Sequence, residues 1–259
     1  MDWYLYPVVV VAGFACGFVN VLAGSGSLIT LPLLIFMGLP ATIANGTNRI
    51  GILLQNLVGA RGFHLRGLLD LHQALWLAAP TTLGAILGAQ IAVDLDETKM
   101  RQAIGALMIF MFIVLLVDPQ RWLQGRGGLV QARPTLGELG LFFLIGIYGG
   151  FIQAGVGIFL LAGLVLGAGF DLVRANAIKV LIILVFTLPA LAVFLLHQQV
   201  NWSIGLILSV GNMLGAWTAT RFAARPGSAL WIHRLLLVIV LISSAELLGI
   251  LDWITQWIA

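Results

Sequence analysis

The sequence predicts an all-α polytopic membrane protein made of two inverted repeats, each with a short broken or re-entrant helix pair followed by three transmembrane helices. Hydrophobic residues make up 61% of the 259 residues and charged residues only 9%, whereas soluble domains carry about 25% charged residues. Apolar segments long enough for membrane helices recur along the chain. Their order is the same in the two halves, which indicates a duplicated unit.

The two halves align weakly but in constant order. The matched pairs are Gly17 with Gly150, Asn20 with Gln153, Gly26 with Gly157, Gly38 with Gly169, Asn45 with Asn176, Gly84 with Gly211, and Gly88 with Gly215. The polar stretch between the halves is the one plausible linker. We therefore predict a first repeat at 1–118, a cytoplasmic linker at 119–137 and a second repeat at 138–259.

Each half contains five apolar segments, of which the first two are short and flank a glycine-rich tip. The segments span 4–22, 27–38, 42–61, 71–93 and 101–117, then 139–153, 157–169, 173–196, 203–222 and 232–250. Whether the short pairs re-enter or fully cross the membrane stays open. Re-entrant pairs leave three crossings in each half, and this odd number inverts the second repeat.

The distribution of charge favours the inverted arrangement. With the N-terminus outside, nine of the thirteen Lys and Arg residues lie on the cytoplasmic side, whereas parallel halves would place a basic cluster outside. We predict a multi-pass protein of the inner (plasma) membrane with an external N-terminus. The excess of three positive charges reports loop orientation and gives no reason to expect a nucleic-acid partner.

The glycine-rich tips predict a binding site at membrane depth. Gly24, Ser25 and Gly26 form one tip, and 155–157 forms the other. Non-helical backbone is tolerated at this depth only where protein buries it or a watery cavity solvates it, and paired interruptions in inverted repeats indicate a transporter site. Close helix packing is the alternative use of such glycines.

Two basic residues within helices indicate that the ligand is an anion. Arg49 lies about 12 Å along its helix by helical rise, among several amide side chains, and Lys179 occupies nearly the same place in the second half. Only Glu246 of the ten acidic residues lies well within a long apolar segment. Snorkelling of the basic side chains to an interface is the alternative. The predicted substrate-binding residues are Asn20, Gly24, Ser25, Gly26, Ser27, Asn45, Thr47, Asn48, Arg49, Gln153, Gly155, Gly157, Asn176 and Lys179.

The sequence gives no sign of a metal site or a cofactor. The single cysteine, Cys16, has no Cys or His partner nearby in sequence and is interpreted as a packing residue, and the four histidines lie in or beside loops. The expected partners are a small anionic substrate, the lipid bilayer and either a proton as coupling ion or no coupling ion.

The stretch "GFVNVLAGSGSLITLPLL", followed by "GLPATIANGTNR", resembles the TauE/SafE family, the sulfite exporter family, and the likeness runs through about residues 8 to 250. The resemblance implies export of small sulfur oxyanions or organosulfonates, such as sulfite or sulfoacetate. The second copy departs from the first, with Gln153 for Asn20 and Gly163 for Pro32.

Three alternative functions remain at this stage. They are a transporter of another small organic anion, a non-transporting membrane scaffold, and an intramembrane hydrolase with Ser25 or Ser27 as nucleophile. The hydrolase is disfavoured because no histidine lies within a membrane core segment to serve as its base. We therefore do not expect an enzyme.

Overall fold

The computed structural model describes residues 5–116 and 134–222 together with Leu241, and every regular element in these ranges is helical. The helices are α1 (Leu5–Ala23), α2 (Ser27–Phe36), α3 (Ala41–His64), α4 (Leu71–Val93), α5 (Glu97–Leu116), α6 (Leu136–Phe151), α7 (Val156–Ala162, continued by a π-helical turn Gly163–Gly167), α8 (Leu172–Leu196) and α9 (Trp202–Phe222). The predicted all-α class is confirmed. Segment 232–250 and most of the predicted linker lie outside the described residues, and the inversion of the repeats stays a prediction.

Four of the described helices are long and apolar enough to cross a membrane. They are α4, α5, α8 and most of α1, from Tyr6 to Ala23. Helix α3 has 24 residues but carries the buried side chains of Arg49 and several amides, whereas α2, α6 and α7 with its π-helical turn are shorter apolar helices. These lengths and compositions are those of a membrane protein.

The two predicted halves interleave and do not form separate lobes. Helix α1 packs along α9, and α4 packs along α6, so the first helix of each short pair lies against a helix from the other half. Helices α3 and α8 contact one another, and each also packs against one of these pairs, α3 on α9 and α8 on α4. The interleaving brings both glycine-rich tips to the centre of the fold.

Glycines set the close approach of the two outer helix pairs. A Cβ atom on Gly17 of α1 would lie 2.1 Å from the carbonyl oxygen of Asn212 in α9. One on Gly150 of α6 would lie 2.0 Å from the carbonyl oxygen of Ala85 in α4. Small residues let backbones come this near in membrane helix pairs. Because the sequence alignment matches Gly17 with Gly150, the contact between α1 and α9 and the contact between α4 and α6 are equivalent crossings.

The two central helices, α3 and α8, begin at carboxylates, which satisfy otherwise unpaired backbone N–H groups. The Glu97 carboxylate, on α5, accepts from the backbone N–H groups of Ala41 and Thr42 at 2.6 and 3.2 Å. Asp171 accepts from Val173 and Arg174 at the start of its own helix, α8. Acidic groups also complement the positive end of a helix dipole. The start of α3 is thus capped by a residue of another helix, α5, whereas the start of α8 is capped by the residue that directly precedes it.

Candidate functional site

The two tips meet in direct backbone contact. A Cβ atom on Gly24 would lie 2.4 Å from the carbonyl carbon of Gly157, so no side chain fits between them. The first tip, at 24–26, lies where the sequence predicts it. The second tip lies slightly earlier than predicted, at 152–155, because Gln153 and Gly155 have φ values of +53° and +74° and α7 already begins at Val156. Gly24 has a similar φ of +77°, a conformation that glycine adopts without steric cost.

Arg49 is fully buried and binds the carbonyl end of α6. Its Nη2 atom donates to the carbonyl oxygen of Gly150 at 2.5 Å, and its Nη1 atom donates to that of Gly149 at 3.3 Å. The guanidinium carbon lies 4.4 Å from the ring centroid of Phe194. The last carbonyl groups of a helix have no intrahelical partner and carry the negative end of its dipole. Arg49 therefore caps a helix from the opposite half of the chain.

Lys179 is also fully buried and binds the carbonyl end of α1. Its Nζ atom donates to the carbonyl oxygens of Asn20 and Val21 at 3.0 and 3.1 Å, and to Oδ1 of Asn176 at 2.7 Å. These contacts use all three donors of an ammonium group. In this conformation Lys179 is thus a helix cap, and a ligand would have to replace one of these bonds to reach its nitrogen.

The interior around the tips carries positive charge without a carboxylate. Among the described residues, Arg49 and Lys179 are buried, whereas no Asp or Glu side chain is. Buried charges in proteins are ordinarily paired with an opposite charge or a metal ion. Carbonyl dipoles solvate these two cations but contribute no net negative charge. The site is therefore electrostatically suited to an anion.

A polar cluster joins α1, α2 and α3 beside the first tip. The hydroxyl of Thr30 donates to Oδ1 of Asn48 at 2.7 Å and lies 3.5 Å from the sulfur of Cys16. Cys16 in turn lies 4.0 Å from Oε1 of Gln55. Asn45, one turn before Asn48, donates to the carbonyl oxygen of Phe151 at 2.8 Å. The buried amides of α3 thus connect it to three other helices, Gln55 to α1, Asn48 to α2 and Asn45 to α6.

Several buried polar atoms near this cluster have no hydrogen-bond partner among the described residues. They are Oγ of Ser25, Nε of Arg49, Nε2 of Gln55 and both side-chain polar atoms of Asn212. Asn212 lies at the crossing of three helices, with its Nδ2 atom 2.4 Å from where a Cβ atom on Gly51 would be. A buried polar group without a partner is costly. These atoms are therefore available for hydrogen bonds to a ligand or to water.

Comparison with known proteins gives the family. The profile described as "Sulfite exporter TauE/SafE" matches residues 9–247. This chain belongs to the TauE/SafE family. The resemblance found in the sequence is confirmed, and the motif from Gly17 to Arg49 that carries it is the part of the chain that forms the first tip and the cation-bearing helix.

Relatives of this TauE/SafE chain are described as membrane transporters. "Probable membrane transporter protein ORF9" of Sinorhizobium sp is 30% identical over 245 residues, which is 95% of this chain and 92% of the relative. "Probable membrane transporter protein YfcA" of Escherichia coli (strain K12) is 26% identical over 244 residues, or 94% and 90% of the two chains. No solved structure matches the chain at a significant level.

The polar cluster of this TauE/SafE protein is present in one half only. Continuing the alignment of the halves, Phe186 takes the place of Gln55, and Gly149 that of Cys16. A Cβ atom on Gly149 would lie 3.0 Å from the tip of the Phe186 ring, so an aromatic side chain occupies the position that the amide holds in the first half. Asn212 corresponds to Ala85 in the same way. The duplicated fold therefore has the Cys16–Gln55 contact beside the first tip and an apolar Gly149–Phe186 contact at the equivalent place in the second half.

The structure separates the predicted site residues into two groups. Most lie at the tips or at the two cation-capped helix ends, but the hydroxyl of Thr47 points elsewhere and accepts from the backbone N–H of Asn201 at 2.9 Å. Ser27 is buried in the first turn of α2. The predicted set of site residues lacks several that support the site from outside the tip motifs, namely Cys16, Thr30, Gln55, Thr187, Phe194 and Asn212. Polar residues inside otherwise apolar helices are the signal that identifies Thr30, Thr187 and Asn212.

Within 5–116 and 134–222, no three His, Cys, Asp or Glu side chains are grouped so that they could hold a metal ion.

Proposed function

We propose that this protein is a secondary transporter of the inner membrane that exports a small sulfur-containing anion, sulfite or an organosulfonate, with its N-terminus outside the cell. The family description names sulfite export, and the relatives are described as membrane transporters. These matches support the transporter class directly. The choice of anion rests on the family description together with the chemistry of the site.

The observation that carries the proposal is the pair of buried cations without a buried carboxylate among the described residues. Arg49 and Lys179 are held by carbonyl oxygens from helix ends, which solvate a cation but leave its charge uncompensated. An anion at the tips would supply the missing charge in a medium of low dielectric, where the attraction is strong. A cation would be repelled by this arrangement, and a neutral solute would not supply the missing charge.

The donors without partners suit an oxyanion. Nε of Arg49, Oγ of Ser25 and Nε2 of Gln55 are buried N–H or O–H groups that bind nothing else in the described part of the chain. A sulfite or sulfonate group presents three oxygen atoms that accept hydrogen bonds. Guanidinium groups offer planar, paired donors to such groups. The start of α2 at Ser27 adds the positive end of a helix dipole, which favours an anion.

Transport requires the tip contact to open. Gly24 and Gly157 touch in this structure, so we assign it to a closed state of the site. Movement of one half against the other would expose the site to each side in turn, as in other transporters with internal repeats. A monoanion leaving an inside-negative cell gains about 2.3 kcal/mol per 100 mV. Export of a monoanion therefore needs no coupling ion, although proton exchange is compatible with it.

Reconstituted protein provides the test. Proteoliposomes would be loaded with labelled sulfite, sulfoacetate, taurine, thiosulfate or sulfate, and efflux would be followed under a set membrane potential. We expect flux of sulfite or a sulfonate, its loss in Arg49→Gln, and wild-type flux in Arg174→Gln, a matched control because Arg174 is exposed and lies 3.6 Å from Asp171. Full transport by Arg49→Gln would remove the cation from the mechanism.

A second measurement covers the case in which Arg49→Gln does not fold. Wild-type protein should melt at a higher temperature in the presence of a transported anion, because a ligand that binds only the folded state stabilises it. Stabilisation by an organic carboxylate and by none of the sulfur anions would assign the protein to a different organic anion. Absence of stabilisation by every anion, together with absence of flux, would favour a scaffold.

A further inference from the structure

A second concentration of positive charge lies far along α3 from the tips, where α3 and α9 end together. Arg61 belongs to the last turn of α3, Arg66 follows it, and Arg221 belongs to the last turn of α9. These arginines line an open cleft of about 630 Å³ with Leu65, Trp217 and Thr220. Among the residues that the structure describes, no acidic side chain lines the cleft, and none of the three guanidinium groups has a carboxylate partner.

Two of these arginines are held in place by contacts that leave donors available. The guanidinium carbon of Arg221 lies 3.5 Å from the ring centroid of Trp217, stacked on its face. Stacking uses the face of the guanidinium plane and leaves the N–H groups at its edge free for an oxyanion. Nη1 of Arg66 donates to the carbonyl oxygen of Gly62 at 2.7 Å, which leaves its other donors free. The cleft is thus a preformed set of N–H donors.

The floor of the cleft is a tight helix contact. A Cβ atom on Gly62 would lie 2.9 Å from Oγ1 of Thr220, which is itself buried. The rim, in contrast, is apolar and open, since Leu65 is 74% exposed and Trp217 is 47% exposed. Trp residues with an apolar body and a polar edge are enriched where membrane meets water. The cleft therefore combines basic side chains with an exposed apolar rim where α3 and α9 end.

The corresponding place in the other half of the fold has a different composition. Continuing the alignment, Arg61 corresponds to Ala192, Arg66 to His197, Trp217 to Gln90 and Arg221 to Asp94. The equivalent helix ends therefore join without the three arginines or the tryptophan. Because one copy of the fold does without them, packing does not explain their presence in the other copy.

We propose that this cleft binds the phosphate headgroup of an anionic phospholipid, of the phosphatidylglycerol or cardiolipin class. The arginines would take the phosphate oxygens, and Leu65 and Trp217 would contact the first carbons of the acyl chains. A free anion would use the arginines but would have no use for the exposed apolar rim, which is why the lipid is favoured. Basic pockets between helices at a membrane surface bind such headgroups by this combination of charge and apolar contact. This site is separate from the tips, and its test is independent of transport.

The test uses the full-length protein in detergent, titrated with phosphatidylglycerol, cardiolipin, phosphatidylcholine or inorganic phosphate. We expect the two anionic lipids to raise the melting temperature and to remain bound in native mass spectrometry, and phosphatidylcholine and phosphate to do neither. The double variant Arg61→Gln with Arg221→Gln should bind anionic lipid at least ten-fold more weakly. The matched control, Lys99→Gln with Arg174→Gln, removes two exposed basic residues elsewhere and should bind as the wild type does.

Each other outcome overturns the assignment. Equal lipid affinity in the double variant and the control would show that bulk charge, and not this cleft, retains the lipid. Binding of inorganic phosphate with displacement of the lipid would make the cleft a small-anion vestibule. If the double variant fails to fold, a photoactivatable phosphatidylglycerol on the wild-type protein should crosslink to peptides containing Leu65 or Trp217, and crosslinks confined to other helices would contradict the proposal.

Discussion

Arg49 and Lys179 each bind the carbonyl end of the broken helix that belongs to the other half of the chain. Arg49 in α3 holds the end of α6 through Gly149 and Gly150, and Lys179 in α8 holds the end of α1. The two cations therefore stabilise the interruptions themselves, because each compensates the unpaired carbonyl groups that a broken helix leaves in a membrane. The same charges make the centre of the fold attractive to an anion.

Replacing Lys179 by Met should destabilise the protein and expose this structural role. The substitution removes three donors from buried oxygen atoms, and a lost hydrogen bond to a charged group costs about 2 kcal/mol. We expect a clearly lower melting temperature and reduced anion flux. Lys99→Met is the matched control, since Lys99 pairs with Asp96 on the surface at 2.8 Å and such pairs contribute little. Equal melting temperatures in the two variants would contradict the capping role.

The helical class, the first tip and the two central cations could be predicted from the sequence, because each leaves a mark in residue type. Composition gives the membrane class, Gly24 and Gly26 mark the tip, and the repeat places Lys179 beside the position of Arg49. What the cations bind could not be predicted. Their partners are backbone carbonyl oxygens, which every residue has, so the binding site for a cation at a helix end leaves no side-chain signal.

The position of the second tip shows a different limit. The sequence places it at the glycines 155–157, whereas the chain turns at 152–155 with Gln153 at positive φ. Side chains other than Gly, Asn and Asp seldom adopt this conformation, so the glycine pattern draws the prediction towards Gly157. Gln153 is held there by a 2.6 Å hydrogen bond from its Nε2 to Thr187 in α8, a contact between helices that are adjacent only in the folded chain.

Substituting Gly24 by Ala should prevent formation of the tip contact. Gly24 and Gly67 have φ values of +77° and +67°, but a Cβ atom meets the backbone of Gly157 at the first position and nothing within 4 Å at the second. Both substitutions carry the strain of a left-handed alanine, about 1–2 kcal/mol. Only Gly24→Ala adds a clash with backbone, so we expect it to abolish transport and lower the melting temperature further than Gly67→Ala. Similar behaviour of the two variants would mean that the tips need not touch.

Replacing Gln55 by Leu should stabilise the protein while impairing transport. Nε2 of Gln55 is buried without a partner, and removing such a group relieves a cost of about 1–3 kcal/mol. If the amide serves the substrate, flux should fall even as the melting temperature rises, a common opposition between stability and function. A rise in melting temperature with unchanged flux would exclude Gln55 from the binding site.

Thr187→Val should lower the stability of the protein, in contrast to Gln55→Leu, because the Thr187 hydroxyl forms a buried hydrogen bond. It accepts from Nε2 of Gln153 at 2.6 Å, and Oε1 of the same amide lies 3.5 Å from Nη1 of Arg49. The isosteric valine leaves a buried amide donor unpaired, which costs about 1–3 kcal/mol. We expect a lower melting temperature, whereas Thr218→Val, which affects only bonds within its own helix, should leave it nearly unchanged. An unchanged melting temperature in Thr187→Val would show that the second tip does not depend on this bond.

Glu97→Ala should loosen the start of the helix that carries Arg49. The carboxylate accepts from the backbone N–H groups of Ala41 and Thr42 and from the Thr42 hydroxyl at 3.3 Å, and loss of a capping side chain costs about 1 kcal/mol. We expect faster hydrogen exchange over the first turn of α3 and a slightly lower melting temperature. Asp94→Ala removes an exposed carboxylate just before α5 and should change neither. Because the cap lies several turns from the tips, anion flux should fall much less in Glu97→Ala than in Arg49→Gln, and an equal loss would indicate that the start of α3 moves during transport.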